Sequence, residues 1–381
     1  MNHQRKAGQF KISPKQAMIV GVFCLLCAAL PSYAQTKHAS RKYKVVYLGR
    51  PDAKDPNSSF SPIALSNSGA IVGQAYDSFT RLYYAAKWDK GHFYRLGVLP
   101  ANPANAEFSS ANGINDYGLV AGISAVSATS DHAVIFERGK VIDLGASGPL
   151  KGLYSTANDI NDAGQVIGNI LSGSSLSGII SQPFVYQNGK VTILDAPFFE
   201  GNSSVVAINQ WGLMVGTTGS GDGEHAFSYV AGKYTNLGSL GSAGSTSSAT
   251  LVNNRGWIAG TFGATSADSR YSFFLYQNGK MHDIGLPPQS GGSSHLGGMN
   301  DCGHIVAYSV PDFGPSFDQA FLYEEGIWQD LQQFIDPKSS WLVTDAIDIN
   351  NSGEILGFGT LPGPTGYIYR FTAILLVPEC R

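Results

Sequence analysis

Apolar residues in this chain fall in short alternating runs bounded by Gly, Asn, Asp and Ser, and no stretch sustains the spacing of an amphipathic helix. One phrase punctuates these runs seven times: an apolar residue, then Asn-Asp-x-Gly or a variant of it, then a short apolar strand. It begins as Leu65-Ser66-Asn67-Ser68-Gly69, Ile114-Asn115-Asp116-Tyr117-Gly118, Ile160-Asn161-Asp162-Ala163-Gly164 and Ile208-Asn209-Gln210-Trp211-Gly212. It continues as Val252-Asn253-Asn254-Arg255-Gly256, Met299-Asn300-Asp301-Cys302-Gly303 and Ile349-Asn350-Asn351-Ser352-Gly353. The closing glycines stand 49, 46, 48, 44, 47 and 50 residues apart. A period of that size marks one supersecondary unit repeated and stacked, so residues that recur with it are architecture before they are chemistry.

The third unit displays the design. Ala157-Asn158-Asp159-Ile160 and Gln165-Val166-Ile167-Gly168 read as strands, and between them Asn161 opens a type I turn that Gly164 closes in the left-handed conformation. Pro183-Phe184-Val185-Tyr186, the turn Gln187-Asn188-Gly189 and Lys190-Val191-Thr192-Ile193-Leu194 form a second hairpin. Each unit supplies four strands, A to D. The sequence therefore predicts an all-β fold, a seven-bladed β-propeller of four-stranded antiparallel blades. The ends favour a closed ring over a linear solenoid. The last unit stops after a C strand near Thr372 to Pro378, while Lys44-Val45-Val46-Tyr47-Leu48-Gly49 carries the D pattern ahead of the first unit. An N-terminal strand that completes the last blade closes the ring and leaves no open edge.

The N-terminus changes the expected compartment. Arg5, Lys6, Lys11 and Lys15 precede an apolar run from Ala17 to Leu30, and Ser32-Tyr33-Ala34 offers a small-residue cleavage site. Residues 1–34 read as a signal peptide and residues 35–381 as a single propeller domain, secreted or periplasmic. No later apolar run is long enough to span a membrane. The leader carries four of the 25 Lys+Arg and none of the 28 Asp+Glu, so the remainder has a net charge of −7. That balance argues against a nucleic-acid partner, which needs a basic face. Cys302 and Cys380 survive cleavage and are a disulfide candidate in an oxidising compartment, with two separate thiols the equal alternative. After the leader no Cys-x-x-Cys or Cys/His cluster suggests a metal, and no cofactor is predicted.

The paired phrases Ile-Asn-Asp-x-Gly-x-Val-x-Gly and His-Ala-Phe-x-Tyr-x-x-Gly resemble the exported bacterial HAF-repeat family, whose defining tripeptide stands literally at His225-Ala226-Phe227. The resemblance covers nearly all of the chain after the leader. Its departures are Ser66 for Asn, Ala307 for the second Gly, and several degraded His-Ala-Phe triplets. It implies an exported repeat protein and carries no catalytic residues to transfer.

The A–B and C–D turns are short in every unit and emerge on one face of such a ring. The B–C and D–A connections vary and emerge on the other, which is the predicted functional face. Its aromatics Tyr83, Tyr84, Phe108, Phe198, Tyr271, Phe313, Phe317 and Trp341 are the candidate ligand-binding residues, suited to stacking on a glycan or to a protein partner. The plainer alternative is that these rings pack loops onto the blade ends. His132 and His225 recur at one C-strand position and read as structural, and the phrase asparagines read as caps of their own turns. Nucleophile elbow, His-Glu-x-x-His, phosphate-loop and EF-hand patterns are missing. The leading expectation is a non-enzymatic exported protein that binds or scaffolds a glycan, matrix or surface-protein partner through the variable face. The alternative is an extracellular carbohydrate-active hydrolase or lyase using loop carboxylates such as Asp222, Glu224, Asp268, Asp312 and Asp318.

Overall fold

Gly164 adopts φ of +73° and its N–H donates to the Asn161 carbonyl at 2.9 Å, closing the turn that the repeated phrase encodes. All seven phrase glycines are left-handed, at φ of 73–84°. The C–D connections are two-residue turns with both φ positive, as in Asn188-Gly189 and Lys90-Gly91, the twist that suits a tight hairpin. The computed structural model describes residues 41–100, 108–174, 178–194, 202–219, 223–241, 244–263, 271–288, 293–311, 318–362 and 371–379. The predicted leader, Phe198, Phe313, Phe317 and Cys380 lie outside these residues, and with Cys380 the predicted Cys302–Cys380 pairing.

These hairpins combine into seven four-stranded antiparallel sheets, the blades of a β-propeller. Blades 1 to 6 follow chain order. The seventh joins Leu342–Ile349, Ile355–Thr360 and Thr372–Pro378 to the N-terminal strand Tyr43–Tyr47, with Tyr43 opposite Pro378 and Tyr47 opposite Ile374. The displaced D strand thus completes the last blade, as the sequence predicts. Arg41, just ahead of it, forms a two-pronged ion pair with Glu324 of blade 6 at 2.9 and 3.0 Å. His304 adds a contact to Glu324 at 3.1 Å, and these partners, His304 first, hold the Glu324 carboxyl below its ordinary range.

The core lies between blades. Seven apolar clusters each draw on two neighbouring blades, one cluster per seam. The two repeated phrases meet inside them. Phe227 of His-Ala-Phe sits opposite Gly216 of Val-x-Gly, and Phe184 opposite Gly168 in the same way. A Cβ at Gly168 would strike both the Phe184 ring and the Thr156 carbonyl, because a bulge in every A strand brings a carbonyl beneath that glycine. Blade 6 carries Ala307 there, and its A-strand irregularity widens to run from Leu296 to Met299 through Gly297-Gly298.

The A–B turns are also lashed to one another. Five of the six phrase Asn use Oδ1 to accept two N–H groups of their own turn, and Asn161 accepts the one from Gln165, at 2.9–3.1 Å, as expected. Each Nδ2 donates to the carbonyl of the counterpart in the next blade at 2.9–3.3 Å, in six seams of seven. The break is at Ser66, whose side chain is too short to reach blade 2. The following residue adds a second series: its N–H donates to the side-chain oxygen of its counterpart one blade on. This series runs Asn67, Asp116, Asp162, Gln210, Asn254, Asp301, Asn351 and back to Asn67, unbroken, at 2.7–2.9 Å. A turn cap was legible in the sequence; the hoop was not.

Two inner carboxylates belong to the same scaffold. Asp159 accepts from Ile160 N–H at 2.8 Å and from Ile208 N–H of the next blade at 2.9 Å. Asp348 repeats this with Ile349 and Leu65, each at 2.8 Å. Each lies against a glycine at the same position of the preceding blade, Gly113 and Gly298 respectively, where a Cβ would collide with the aspartate. The side chains keep some accessible area but are closely packed by protein, and burial pushes Asp159 up to about 7 and Asp348 up to about 6.

Candidate functional site

Four buried side-chain polar atoms among the described residues have no hydrogen-bond partner: Ser181 Oγ, His225 Nδ1, Ser294 Oγ and Thr360 Oγ1. Strand order places all four in the halves of their strands that meet the B–C and D–A connections, opposite the hydrogen-bonded hoop. Buried polar groups are ordinarily satisfied, so their concentration at one end singles out that face. The lower face spends its side chains on holding the ring together. The upper face also carries cross-blade links, such as Ala85 N–H to Ser109 Oγ and Ala226 N–H to Ser247 Oγ, each at 2.9 Å, but among the described residues they form no closed series.

The repeat itself shows where the upper face departs from architecture. Five residues before the phrase Asn, each A strand pairs across to one B-strand residue. The pairs are Ser61–Gln74, Ser110–Ile123, Thr156–Asn169, Ser204–Thr217 and Ser248–Thr261 in blades 1 to 5. Blades 6 and 7 instead carry His295–Tyr308 and Asp345–Phe358. His295 and Tyr308 stack, with ring centroids 4.9 Å apart. Asp318 and Asp345 stand within electrostatic reach of each other and of Tyr308. Burial pushes Asp345 up to about 6 against the hydrogen bond from Thr344, and Asp318 adds to the rise. Burial also raises Asp318, opposed by His295. A position occupied by small hydroxyl residues in five blades thus becomes a titratable group in the last two.

Two clefts open on the same face. One, of about 390 Å³, lies at the closure seam between blades 7 and 1, lined by Tyr47, Arg50, Ser58, Ser59, Phe60 and Phe371 among others. Tyr47 and Phe371 are 46% and 54% exposed. Neither was singled out in the sequence, yet the closure predicted there already implied their meeting. Tyr47 ends the displaced strand and Phe371 precedes the C strand that it pairs with. The second cleft lies between blades 3 and 4.

The predicted aromatics do not converge on one patch. Tyr83 is half exposed beside Tyr76, at 4.9 Å between ring centroids, and Tyr84 lies under the Arg95 guanidinium at 4.4 Å. Phe108 is half-buried on blade 2, and its carbonyl accepts from Ala125 N–H at 2.9 Å. Tyr271 OH donates to the Ser294 carbonyl at 2.8 Å and accepts from Ser294 N–H at 2.6 Å, joining blades 5 and 6. Trp341 packs on the blade 6–7 core, with its ring 6.4 Å from that of Tyr47. His132 is held by Asp143 at 2.9 Å, a structural contact. Of the loop carboxylates, Glu224 and Asp318 are described, on blades 4 and 6; Asp222, Asp268 and Asp312 lie outside the described residues.

No protein-family model and no curated protein matches the chain. Among solved structures, a puromycin-hydrolyzing peptidase of Mycobacterium tuberculosis aligns with a TM-score of 0.51 at 10% identity, over 88% of this chain and 55% of the peptidase. TolB from Acinetobacter baumannii aligns at 0.44 and 12% identity, over 69% of this chain and 63% of TolB. Dipeptidyl peptidase 4 of Porphyromonas gingivalis aligns at 0.41 and 9% identity, over 96% and 62%. The first likeness is one of fold, and this chain spans about half the length of that peptidase. Among the described residues no helix is long and apolar enough to cross a membrane, and no group of three or more His, Cys, Asp or Glu is placed to hold a metal ion.

Proposed function

We propose that this protein is an exported, non-enzymatic propeller that binds a saccharide polymer through its upper face. The observation that carries the reading is the contrast between faces: a hydrogen-bonded hoop below, and above it unpartnered buried polar atoms beside open clefts. The closure-seam cleft supports it further, since the exposed rings of Tyr47 and Phe371 stand next to Arg50 and Ser59. Ring faces with a few polar groups suit a neutral, hydroxyl-rich ligand. The leader and the HAF-repeat resemblance support export. The test is retention on a panel of immobilised polysaccharides, comparing the wild type with Tyr47→Ala and Phe371→Ala. Retention lost in both variants, with unchanged Tm, is the expected outcome; retention by no polysaccharide overturns the reading.

One arrangement favours a second reading, a carbohydrate-active hydrolase or lyase. His295, Tyr308, Asp318 and Asp345 interrupt the repeat together, and two carboxylates with raised affinity for protons are what an acid–base pair requires. Release of reducing ends or unsaturated products by the wild type, abolished in Asp345→Asn, would establish it.

A further inference from the structure

We infer that the cleft between blades 3 and 4 is a binding site for a single saccharide unit, a site distinct from the closure seam. The inference rests on the saccharide-binding reading above for the class of its ligand. The cleft measures about 430 Å³, within the range of small-molecule sites, and opens on the upper face. Its lining is almost wholly polar and carries one charge: Thr156, Asn169, Ser181, Asn202, Ser204, Thr217 and Glu224, with only Leu171 and Val206 apolar.

These polar groups divide by what they already do. Asn169 is spent on the scaffold: Oδ1 accepts from Val205 N–H at 3.0 Å and Nδ2 donates to the Val205 carbonyl at 3.1 Å, tying blade 3 to blade 4. Thr217 shares a 2.6 Å hydrogen bond with Ser248 of blade 5. Asn202 is half spent. Its Oδ1 accepts from Ser181 N–H at 2.8 Å, which fixes the amide and leaves Nδ2 as a donor. Ser181 borders the cleft but is only 8% exposed, and its buried hydroxyl has no partner. Among the described residues, no hydrogen bond engages the Glu224 carboxylate or the hydroxyls of Thr156 and Ser204. Five residues from two blades with uncommitted polar groups therefore border one space.

Their chemistry selects the ligand. Three hydroxyls each donate and accept, one amide donates, and one carboxylate accepts from two directions. That set matches adjacent ring hydroxyls, which also donate and accept, with Glu224 receiving a neighbouring pair. A divalent cation would need more anionic oxygens than one carboxylate supplies. A phosphate would meet Glu224 with like charge and no cation beside it. Among the described residues the cleft has no aromatic ring on which a polymer could stack, so it grips the edge of one unit, whereas the closure seam offers ring faces.

The test titrates the full chain with glucose, galactose, mannose and N-acetylglucosamine, read by ligand-observed NMR. At least one sugar should bind, and Glu224→Gln should weaken it about tenfold, the effect of losing one charge-assisted hydrogen bond. Ser181→Ala should weaken it as well while leaving Tm unchanged or higher, since its hydroxyl has no partner to lose. Binding by none of the four sugars, or binding that Glu224→Gln and Ser181→Ala leave intact, overturns the inference. Polysaccharide retention with no monosaccharide binding defeats this site alone. Monosaccharide binding without polymer retention defeats the wider reading and keeps the site.

Discussion

Asn161 donates from Nδ2 to the main-chain carbonyl of Asn209, its own counterpart one blade further round, at 3.1 Å. The same side chain accepts Gln165 N–H on Oδ1 at 3.0 Å, so one residue both shapes a turn and joins two blades. Asn161→Ala should therefore cost about 2 kcal/mol, twice the contribution of a single hydrogen bond, in urea unfolding. Asn161→Asp keeps the accepting oxygen and turns the donor into a second acceptor aimed at a carbonyl. If capping alone mattered, that variant would retain wild-type stability; a loss comparable to Ala shows the bridge.

Ser66 is the one phrase position without the bridging amide. Ser66→Asn should supply the seventh link, to the Asn115 carbonyl, and raise stability by about 1 kcal/mol. Differential scanning calorimetry should show a higher Tm. An unchanged or lower value would mean that the turn of blade 1 is set differently from the other six.

Asp159 and Asp348 give the fold a pH dependence. Their folded values, about 7 and about 6, lie above the ordinary carboxylate value of 3.8, so between these limits the native state holds protons that the unfolded chain has released. Stability is then fully present below about pH 4 and falls as pH rises toward 7. Tm should be higher at pH 5 than at pH 8. Asp345 contributes in the same sense, and Glu324 acts only below its unfolded value of 4.5, outside that window. Asp159→Asn, which cannot ionise, should flatten the slope between pH 5 and 8, and an unaltered slope would assign it elsewhere.

Deleting residues 41–48 removes the outer strand of blade 7 together with the Arg41–Glu324 pair. The edge of Thr372–Pro378 is then bare, and an unpaired edge recruits other chains. The truncated protein should lose thermal stability and elute as oligomers in size-exclusion chromatography. A monomer of wild-type Tm would show that the hoop alone closes the ring.

What could be read from the sequence was whatever acts within one repeat. The Asn161 to Gly164 turn, the second hairpin and the D pattern of Lys44 to Gly49 are local, and period and spacing expose them. The opposite face was legible as the variable one for the same reason. What acts between blades was hidden, because the chain does not say which atom of one unit faces which atom of the next. The Asn Nδ2 bridge, the matching of Gly113 to Asp159, and the meeting of Tyr47 with Phe371 all belong there. His295 and Asp345 were hidden differently: only when strand register aligns them with Ser61, Ser110, Thr156, Ser204 and Ser248 do they appear as departures from a pattern.

The unbroken series from Asn67 through Asn351 and back to Asn67 has a direction but no start. Every blade hands a donor to its successor and receives one from its predecessor, and the step from seventh to first is like any other. Where the polypeptide is cut is therefore a matter of outer strands alone. A gene re-ordered to begin at any blade, with the old termini joined, would keep every link of the hoop, and so would specify the same ring.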